Sequence, residues 1–309
     1  MSIQLLGLVS ACGPVPRWAN TVGPPAIHVP DAPSPVIDSN GRLMVVNWNM
    51  HVGHGDIARL IGELSRAEKA RGFGDPEFVL LLQESFRRGA EVPTAGKIDV
   101  PKRISPPESA KDIDDIARQL NWWLYYVPSM RNGTRAGDDG EDRGNAILSS
   151  LPLSSLEAIE LPFAVQRRVA LIATVTDSQN TPRLRVAVAH LDTRAPIAKG
   201  WIFGGPVARK RQARGIVDAL KKHSDDELPF ILGADLNTPF GIMEPAVETV
   251  ATLVPRRSCG KKSTHTSGLV LDHVFARLPD TWSAAECTRI DNTFGSDHYP
   301  LVLPMNVPW

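Results

Sequence analysis

Asp235 and Asn237 are the residues of this chain whose type and spacing most clearly suggest chemistry. They follow a short apolar run that begins at Phe230 and contains Gly233. Side chains two positions apart in a strand point to the same side, and a glycine leaves room for close approach to the backbone. A carboxylate and a carboxamide would therefore face one point. Because Asp and Asn before Thr238-Pro239 are also ordinary turn formers, this segment alone is equally compatible with a strand that ends in a turn.

Four other strand-like segments carry polar residues at one end, and this repetition favours a functional site over a simple turn. Burying unpaired polar groups is costly, so such residues are poor choices for a core. If the strands align, their polar ends meet in one cleft. These ends are Asn47-Trp48-Asn49, Gln83-Glu84, His190-Leu191-Asp192 and Ser296-Asp297-His298, the last of which precedes its strand.

The residue types at these polar ends favour a hard divalent cation. Mg²⁺ prefers a few carboxylate and carboxamide oxygens, with its remaining positions left to water and phosphate. The three cysteines are dispersed and the histidines form no HExxH pattern, so the chain offers little for a closed zinc site. His51 and His54, three positions apart after Asn49, leave a zinc alternative open, although exposed histidines in a turn need no metal.

Apolar runs and helical spacing predict the elements that must position the polar ends. Strands are predicted at 43–49, 78–84, 122–127, 145–148, 169–175, 184–190, from Phe230, at 269–275 and at 299–303, and helices at 56–71, 112–120 and 209–222. Residues 86–110 and 131–143 are predicted as loops. Strands and helices intermix without regular alternation, which favours two packed mixed sheets flanked by helices over a doubly wound parallel sheet.

Composition predicts one folded domain with a substantial core, since 42% of the 309 residues are hydrophobic and 22% are charged. The formal net charge is zero, which excludes a global attraction to nucleic acid or anionic membrane, so any polyanion must bind a local patch. No apolar run approaches the ~18 residues that a membrane span requires. Residues 13–41 are rich in Pro, Gly, Ala and Ser and are predicted as an extended tether, with one domain at 42–309.

The amino terminus carries a targeting signal. Residues 3–12 are a short apolar run that ends Leu-Val-Ser-Ala-Cys and resembles the lipobox of bacterial lipoproteins. Residues 1–12 are therefore predicted as a signal peptide and Cys12 as a lipidated residue, which places the domain in the bacterial envelope, anchored in the periplasm. No Lys or Arg precedes the run, so a cytoplasmic protein with an apolar tail stays open. Cys259 and Cys287 would pair in an oxidising periplasm, or be two separate buried thiols.

The ordered motifs together resemble the endonuclease/exonuclease/phosphatase superfamily, over nearly everything from Arg42 to the C-terminus. The resemblance implies an α+β fold, a four-layer α/β/β/α sandwich of two mixed β-sheets flanked by helices, as in DNase I. It also implies a metal-dependent phosphoester hydrolase that uses Mg²⁺ or Mn²⁺. The protein is expected to be a monomer. The motifs are Asn47-Trp48-Asn49, Leu82-Gln83-Glu84, Arg143-Gly144-Asn145-Ala146-Ile147-Leu148-Ser149, His190-Leu191-Asp192, Gly233-Ala234-Asp235-Leu236-Asn237, Leu271-Asp272-His273 and Ser296-Asp297-His298.

The resemblance also assigns roles on the metal and water side of the reaction. Glu84 would be the principal metal ligand, with Asn49 and Asp297 completing or supporting the metal shell. Asp235 would align and deprotonate the attacking water. Asn237 would hold that water or a phosphate oxygen.

On the phosphoryl side, the resemblance assigns His298 as the group that hydrogen-bonds the phosphoryl oxygens as negative charge builds. Asp272 would fix the tautomer and orientation of His298, and His190 would assist the leaving oxygen. Arg143 and Asn145 would contact the phosphate, with packing and loop closure as an equal alternative for Asn145. His273 is predicted to be structural, because it faces away from Asp272 in an extended strand.

The superfamily core serves several substrates, so the fold alone does not choose among them. A nuclease-like phosphodiesterase is favoured, with a phosphomonoesterase or a phospholipid or sphingomyelin phosphodiesterase as the alternative. A non-catalytic lipid-anchored binding protein is the hypothesis from another class. A nuclease should present a basic strip to the phosphate backbone, although each basic group here also suits an ordinary solvated face. The apolar triplet Trp201-Ile202-Phe203 would suit contact with a membrane, but a buried contact before the Arg209 helix is the favoured interpretation. The basic candidates are Arg87, Arg88, Lys97, Lys102, Arg103, Arg131, Arg135, Arg143, Arg167 and Arg168.

Overall fold

The structure, a computed structural model, describes residues 24–31, 41–92, 104–108, 110, 112–132, 140–164, 166–193, 205–223, 227–260 and 262–308. Cys12, Trp201-Ile202-Phe203 and the basic residues Lys97, Lys102, Arg103 and Arg135 lie outside these ranges. The strands are β1 Ala26–His28, β2 Arg42–Asn49, β3 Glu77–Gly89, β4 Trp123–Arg131, β5 Gly140–Ser149, β6 Leu153–Glu160, β7 Val169–Thr176, β8 Pro182–His190, β9 Phe230–Asp235, β10 Arg256–Arg257, β11 Asp272–Arg277, β12 Ser283–Ala284, β13 Thr288–Arg289 and β14 Leu301–Asn306. The helices are α1 Ile57–Ala70, α2 Ile113–Leu120, α3 Gly205–Lys221 and α4 Pro245–Ala251.

The strands form two mixed sheets. The first has the order β1-β4-β5-β3-β2-β14-β12, with β13 also paired to β14, and the second has the order β10-β11-β9-β8-β7-β6. Among the described strands each sheet has one parallel pair, β2 with β3 and β8 with β9. Helix α1 lies between the first pair in sequence and α3 between the second. Parallel strands end at the same edge of a sheet, so each pair brings two polar ends together.

Three apolar clusters define four layers. The central cluster joins the inner faces of both sheets, for example Val45 and Leu81 from the first with Val188 and Ile231 from the second. The outer face of the first sheet packs against α1 and α2, and the outer face of the second packs against α3 and α4. The predicted α/β/β/α sandwich is therefore confirmed.

The predicted helices form because their caps and apolar positions agree. Asp56 precedes α1 and accepts a hydrogen bond from the Arg59 N–H at 3.0 Å, and Asp112 caps α2 in the same way through the Asp115 N–H at 2.8 Å. Such caps satisfy amides that have no partner within the helix. Helix α1 buries Ile57 and Leu60 at the predicted spacing. None of the helices in the described ranges is long and apolar enough to cross a membrane.

Strand β1 departs from the sequence-based interpretation. It lies inside the stretch 13–41 that was predicted as a tether, yet it pairs antiparallel with β4 at the edge of the first sheet. Its three residues are too few to show a strand periodicity. Backbone pairing with an existing sheet therefore decides its conformation.

The predicted loops 86–110 and 131–143 are also partly strand, because β3 continues to Gly89 and β5 begins at Gly140. Their charged side chains pair across the sheet. Arg87 is 1% exposed and contacts Asp142 at 2.6 Å, and the Tyr126 hydroxyl donates to the same carboxylate at 2.6 Å. The assignment of Arg87 to a basic strip is therefore wrong, because its charge is already buried and paired.

Other candidates for the basic strip are also paired within the fold. Arg88 contacts Glu141 at 2.9 Å, Arg167 contacts Glu160 at 3.4 Å and Arg168 contacts Asp192 at 3.3 Å. Pairing lowers the charge that each residue can offer to a polyanion. Of the candidates for a basic strip, these three are therefore paired with carboxylates in the part of the chain that the structure describes.

The two sheets approach closely beside the polar ends. A Cβ added to Gly233 would lie 2.6 Å from the Asn47 Oδ1, too close for any other residue without a shift. The Asn47 Nδ2 donates to the His273 carbonyl at 3.3 Å and so joins β2 to β11 across the sandwich. The sequence predicts that another group lies close to the backbone of Gly233, and that group is the Asn47 side chain of the opposing sheet.

Cys259 and Cys287 form a disulfide. Of the two possibilities left open by the sequence, pairing is the one that the structure contains. The bond closes a chain segment with a sequence separation of 28 that includes β11 and the residues before it. It therefore restrains the stretch from which Asp272 arises.

Candidate active site

Three adjacent strands of the second sheet place three of the predicted residues side by side. His190 on β8 is the register partner of Asp235 on β9, and Asp235 is the partner of Asp272 on β11. The His190 Nε2 lies 3.4 Å from the Asp235 Oδ2. All three side chains are at most 3% exposed. Two carboxylates and an imidazole thus meet at one buried sheet edge.

The end of β9 is both the turn and the site that the sequence suggested. The Asn237 N–H donates to the Asp235 Oδ1 at 2.9 Å, which closes an Asx turn, and Asn237 has a left-handed φ of 51°. The Asn237 Nδ2 donates to the Leu191 carbonyl at 2.9 Å. Among the described residues, its Oδ1 accepts no hydrogen bond. The turn therefore fixes one Asp235 oxygen and leaves the Asn237 oxygen for a ligand.

Asn49 fixes the second oxygen of Asp235 from the opposite sheet. Its Nδ2 donates to the Asp235 Oδ2 at 2.9 Å, and its Oδ1 accepts from the His51 N–H at 2.9 Å. Burial and the neighbouring Asp272 raise the pKa of Asp235 to about 7, although His298 and these hydrogen bonds oppose the shift. The carboxyl group is thus held in place with a pKa near neutrality.

His298 lies between two carboxylates. Its Nδ1 contacts the Asp272 Oδ2 at 2.8 Å and its Nε2 lies 3.9 Å from the Asp235 Oδ2. Burial alone would lower the pKa of His298, but the charge and hydrogen bond of Asp272, with the charge of Asp235, raise it to about 10. His298 is therefore an imidazolium at neutral pH, and Asp272 takes the orienting position that the resemblance implied.

The turn that carries His298 is anchored to β2. The Ser296 Oγ donates to the Asn49 carbonyl at 2.7 Å, and the His298 N–H donates to the Ser296 Oγ at 3.1 Å. The Trp48 Nε1 donates to the His298 carbonyl at 3.0 Å. These bonds explain why the Ser-Asp-His sequence precedes its strand and still reaches the site.

Glu84 leaves the β3 ladder at an irregularity. The register with β5 shifts between Leu82 and Ser85, and Glu84 has a left-handed φ of 49°. A bulge of this kind redirects a side chain out of the sheet. The Glu84 side chain is 22% exposed, and its Oε2 lies 3.8 Å from the Arg143 Nη1. At that distance the contact is no hydrogen bond, so the carboxylate oxygens stay open to a ligand.

Glu84 belongs to a cleft that ends at His190. Arg143, Asn145 and Arg168 also line it. Burial lowers the pKa of Arg143, while the Glu84 charge opposes that shift. The Asn145 Nδ2 donates to the Val169 carbonyl at 2.8 Å, and its buried Oδ1 has no partner. The Nδ2 of Asn145 thus holds strands of the two sheets together, and its Oδ1 lacks a hydrogen-bond partner. The sequence indicates Arg168 only as a candidate for a basic strip, and no local pattern points to its place in the cleft.

Asp297 is surrounded by imidazoles. Its Oδ1 lies 3.6 Å from the His51 Nδ1 and 3.8 Å from the His298 Nε2, and its Oδ2 lies 3.4 Å from the His265 Nε2. Burial would raise the pKa of Asp297, but the contact with His265 and the His298 and His51 charges hold it below its usual value. Asp297 is therefore a carboxylate at neutral pH. The sequence-based prediction missed His265, which lies in a loop with no periodicity.

The donor set fits a hard divalent cation. Glu84 supplies a carboxylate without a hydrogen-bond partner among the described residues, and Asn145 supplies an unsatisfied buried oxygen in the same cleft. Two other groups hold their ligand atoms within 4.8 Å, namely Asp235-Asp272-His298 and His265-Asp297-His298. The His298 imidazolium offsets one of the two carboxylate charges of the first group, so this group suits a cation less well than Glu84 does.

His273 is structural, as predicted. Its Nε2 contacts the Thr238 Oγ1 at 2.8 Å, and the side chain is buried on the side of β11 away from Asp272. Burial lowers the pKa of His273 to about 4, so the ring is neutral. It supports the turn that follows Asn237.

The likeness to known proteins agrees with this geometry. The sequence matches none of the curated proteins with which it was compared. Among solved structures, the human Nocturnin catalytic domain with bound sulfate is 16% identical, with a TM-score of 0.55 over 88% of this chain and 96% of that chain. An endonuclease/exonuclease/phosphatase from Beutenbergia cavernae is 19% identical, with a TM-score of 0.56 over 86% and 72%. D. rerio TDP2 complexed with a single-strand DNA product is 17% identical, with a TM-score of 0.52 over 86% and 99%.

These identities establish a shared fold and no more. The sequence model of the Endonuclease/Exonuclease/phosphatase family supports a stronger conclusion. It matches residues 46–298 and so covers every candidate catalytic and metal-binding residue from Asn49 to His298. The ordered motifs, the four-layer sandwich and this match agree. The chain belongs to the endonuclease/exonuclease/phosphatase family.

Proposed function

We propose that this protein is a metal-dependent phosphoesterase, and in particular a nuclease-like phosphodiesterase. The observation that carries the proposal is the buried arrangement of Asp235, Asp272, His298 and His190 beside the open carboxylate of Glu84. A base with a pKa near neutrality, an imidazolium and a free carboxylate suit hydrolysis of a phosphoester. A binding protein would have no chemical use for this combination.

Glu84, with Asn49 and Asp297, would hold Mg²⁺ or Mn²⁺, which when bound orients the phosphate and stabilises developing charge. Asp235 takes the proton from the attacking water, since its pKa of about 7 allows it to be ionised and still basic at neutral pH. The Asn49 amide and the Asn237 N–H hold this carboxylate in one orientation. The Asn237 Oδ1 accepts a hydrogen bond from the same water.

His298 donates from Nε2 to a phosphoryl oxygen as that oxygen gains charge, and Asp272 keeps the Nδ1 proton in place. Arg143 in the cleft binds a second phosphoryl oxygen. Burial and the Arg168 charge hold the pKa of His190 well below its usual range, so His190 is a neutral imidazole. It assists the leaving oxygen by a hydrogen bond.

A nucleic acid is the favoured substrate, and a phosphomonoester or a phospholipid such as sphingomyelin is the alternative. The TDP2 complex with a single-strand DNA product is compatible with the first choice, but the shared fold alone does not choose among substrates. The internal pairing of Arg87, Arg88 and Arg167 favours a substrate held at few phosphates over a long tracked duplex.

We expect the purified protein to cleave single-stranded DNA or bis-p-nitrophenyl phosphate only with Mg²⁺ or Mn²⁺, in a panel that includes plasmid DNA, RNA, sphingomyelin and p-nitrophenyl phosphate. Glu84→Gln should lower kcat/KM by more than the about 10- to 100-fold typical of outer-shell residues, since it removes a direct ligand. Glu63→Gln, on the exposed side of α1, is the matched control and should match the parent. A metal-loaded parent that cleaves nothing in the panel would contradict the proposal.

We also propose that the protein is anchored in the bacterial envelope through Cys12. The Cys259–Cys287 disulfide supports an oxidising compartment, where such bonds persist. We expect radiolabelled palmitate to label the parent in a bacterial host and to be lost in Cys12→Ser. Equal labelling of both proteins would exclude Cys12 as the lipidated residue, and an unlabelled parent would favour the cytoplasmic alternative.

A further inference from the structure

His265 lies against the site but has no part in the mechanism above. The backbone pairs its segment with the turn that carries Asp297, since the Thr266 N–H donates to the Asp297 carbonyl at 2.9 Å and the Tyr299 N–H donates to the Thr264 carbonyl at 2.8 Å. An isolated antiparallel bridge joins His265 itself to His298. The two segments are therefore held in a fixed relation, and the His265 side chain is placed beside the Asp297 carboxylate.

The tautomer of His265 follows from its partners. The Ser267 N–H donates to the His265 Nδ1 at 2.9 Å, and the Ser267 Oγ lies 2.6 Å from the same nitrogen. A nitrogen that accepts from a backbone amide cannot carry a proton itself, so the neutral ring carries its proton on Nε2. That nitrogen lies 3.4 Å from the Asp297 Oδ2. His265 thus places its proton-bearing Nε2 at ion-pair distance from Asp297, longer than an ordinary hydrogen bond, and its lone pair is engaged by Ser267.

The ring is also fixed by packing. His265 meets the His298 ring in an edge-on arrangement, with 4.6 Å between centroids and 79° between planes. The contact occupies one Asp297 oxygen, while the other faces His51 and His298. A carboxylate held at one oxygen presents its second oxygen in a defined direction. Outer-shell partners orient metal ligands in this way.

We propose that His265 is a positioning residue that orients Asp297 for the divalent cation by donating its Nε2 proton to Oδ2. The inference rests on the proposed function, in which Asp297 belongs to the metal-binding set. It assigns His265 no contact with the metal or the substrate. The side-chain amide of glutamine can place its nitrogen near the position that Nε2 has in the His265 ring. The shorter asparagine side chain reaches only the position of Nδ1.

This difference between the two amides gives the test. His265→Asn keeps an acceptor for the Ser267 N–H but loses the donor to Asp297, and His265→Gln restores that donor. In titrations of the protein with Mn²⁺, followed by electron paramagnetic resonance, we expect His265→Asn to weaken binding by about 10- to 100-fold and His265→Gln to recover most of that loss. The pH dependence of kcat should stay unchanged in both, because His265 moves no proton.

Measuring the effect of His265→Asn in the Asp297→Asn variant separates orientation of Asp297 from a general structural effect. If His265 acts through Asp297, His265→Asn should change Mn²⁺ affinity little once Asp297→Asn is present. Equal Mn²⁺ affinity of parent and His265→Asn would overturn the inference and leave the proposed function intact. Equal losses in the Asn and Gln variants would also overturn it, because they would indicate a direct nitrogen ligand. A parent that binds no Mn²⁺ would overturn the proposed function and, with it, the role of His265.

Discussion

Asp235→Asn should lower kcat by about 10²- to 10⁴-fold, because it removes the base and keeps a side chain of the same size. In the parent, the rate should rise with pH through about 7, since Asp235 must lose its proton to act as a base and its pKa is raised to about 7. The variant should lack this rise. The measurement is a pH profile of kcat with saturating metal.

The control for this prediction is Asp218→Asn, on the exposed side of α3, which should keep the rate and profile of the parent. Near-ultraviolet circular dichroism would establish that Asp235→Asn retains the native packing. A rise near pH 7 that persists in Asp235→Asn would place the base elsewhere, since the group that titrates would still be present.

Asp272→Asn should lower the rate at pH 8 by about 10²- to 10³-fold, the usual cost of losing a charged donor to the transition state. Burial already lowers the pKa of His298, and Asp272 is the main group that raises it to about 10. Without that carboxylate, His298 should be neutral at pH 8. The fall in rate at high pH, expected near 10 in the parent, should therefore move several pH units toward acid.

The rising part of the same profile should also move toward acid, because Asp272 contributes to the raised pKa of Asp235. Nuclear magnetic resonance titration of the His298 ring directly measures how far its pKa falls in Asp272→Asn. The protonated His298 stabilises the fold below its unfolded pKa of about 6.5, and this contribution is lost as the pH rises through about 10. An unchanged ring titration in Asp272→Asn would contradict the assignment of Asp272 as the partner that sets the charge.

Much of the site was predictable because its residues lie at strand ends with strong apolar patterns. Asn49, His190 and Asp235 each end a strand whose preceding stretch is mostly apolar, and polar residues at such positions are chemically informative. Asn237 shows why a turn and a site need not be alternatives, since the Asx turn is what fixes Asp235. The order of these segments along the chain was enough to indicate the family and its four-layer fold.

The remainder depended on contacts between distant segments. Arg87 resembled a surface charge until the structure paired it with Asp142 on the neighbouring strand. His265 has no local pattern, because its role is defined by the turn near Asp297 and by a backbone amide two residues away. Strand β1 is specified by the open edge of β4 more than by its own residues. Local periodicity contains no information about such partners.

The contact between Gly233 and Asn47 has a consequence for how activity depends on folding. Asn49, Glu84 and His298 belong to the first sheet or its connections, whereas His190 and Asp235 belong to the second. Neither half has a working set alone, so the chemistry exists only while the sheets are docked. A compact state with both sheets intact but the interface loosened would keep its far-ultraviolet signal and lose its turnover. The rate of hydrolysis thus measures tertiary docking, which secondary structure content does not.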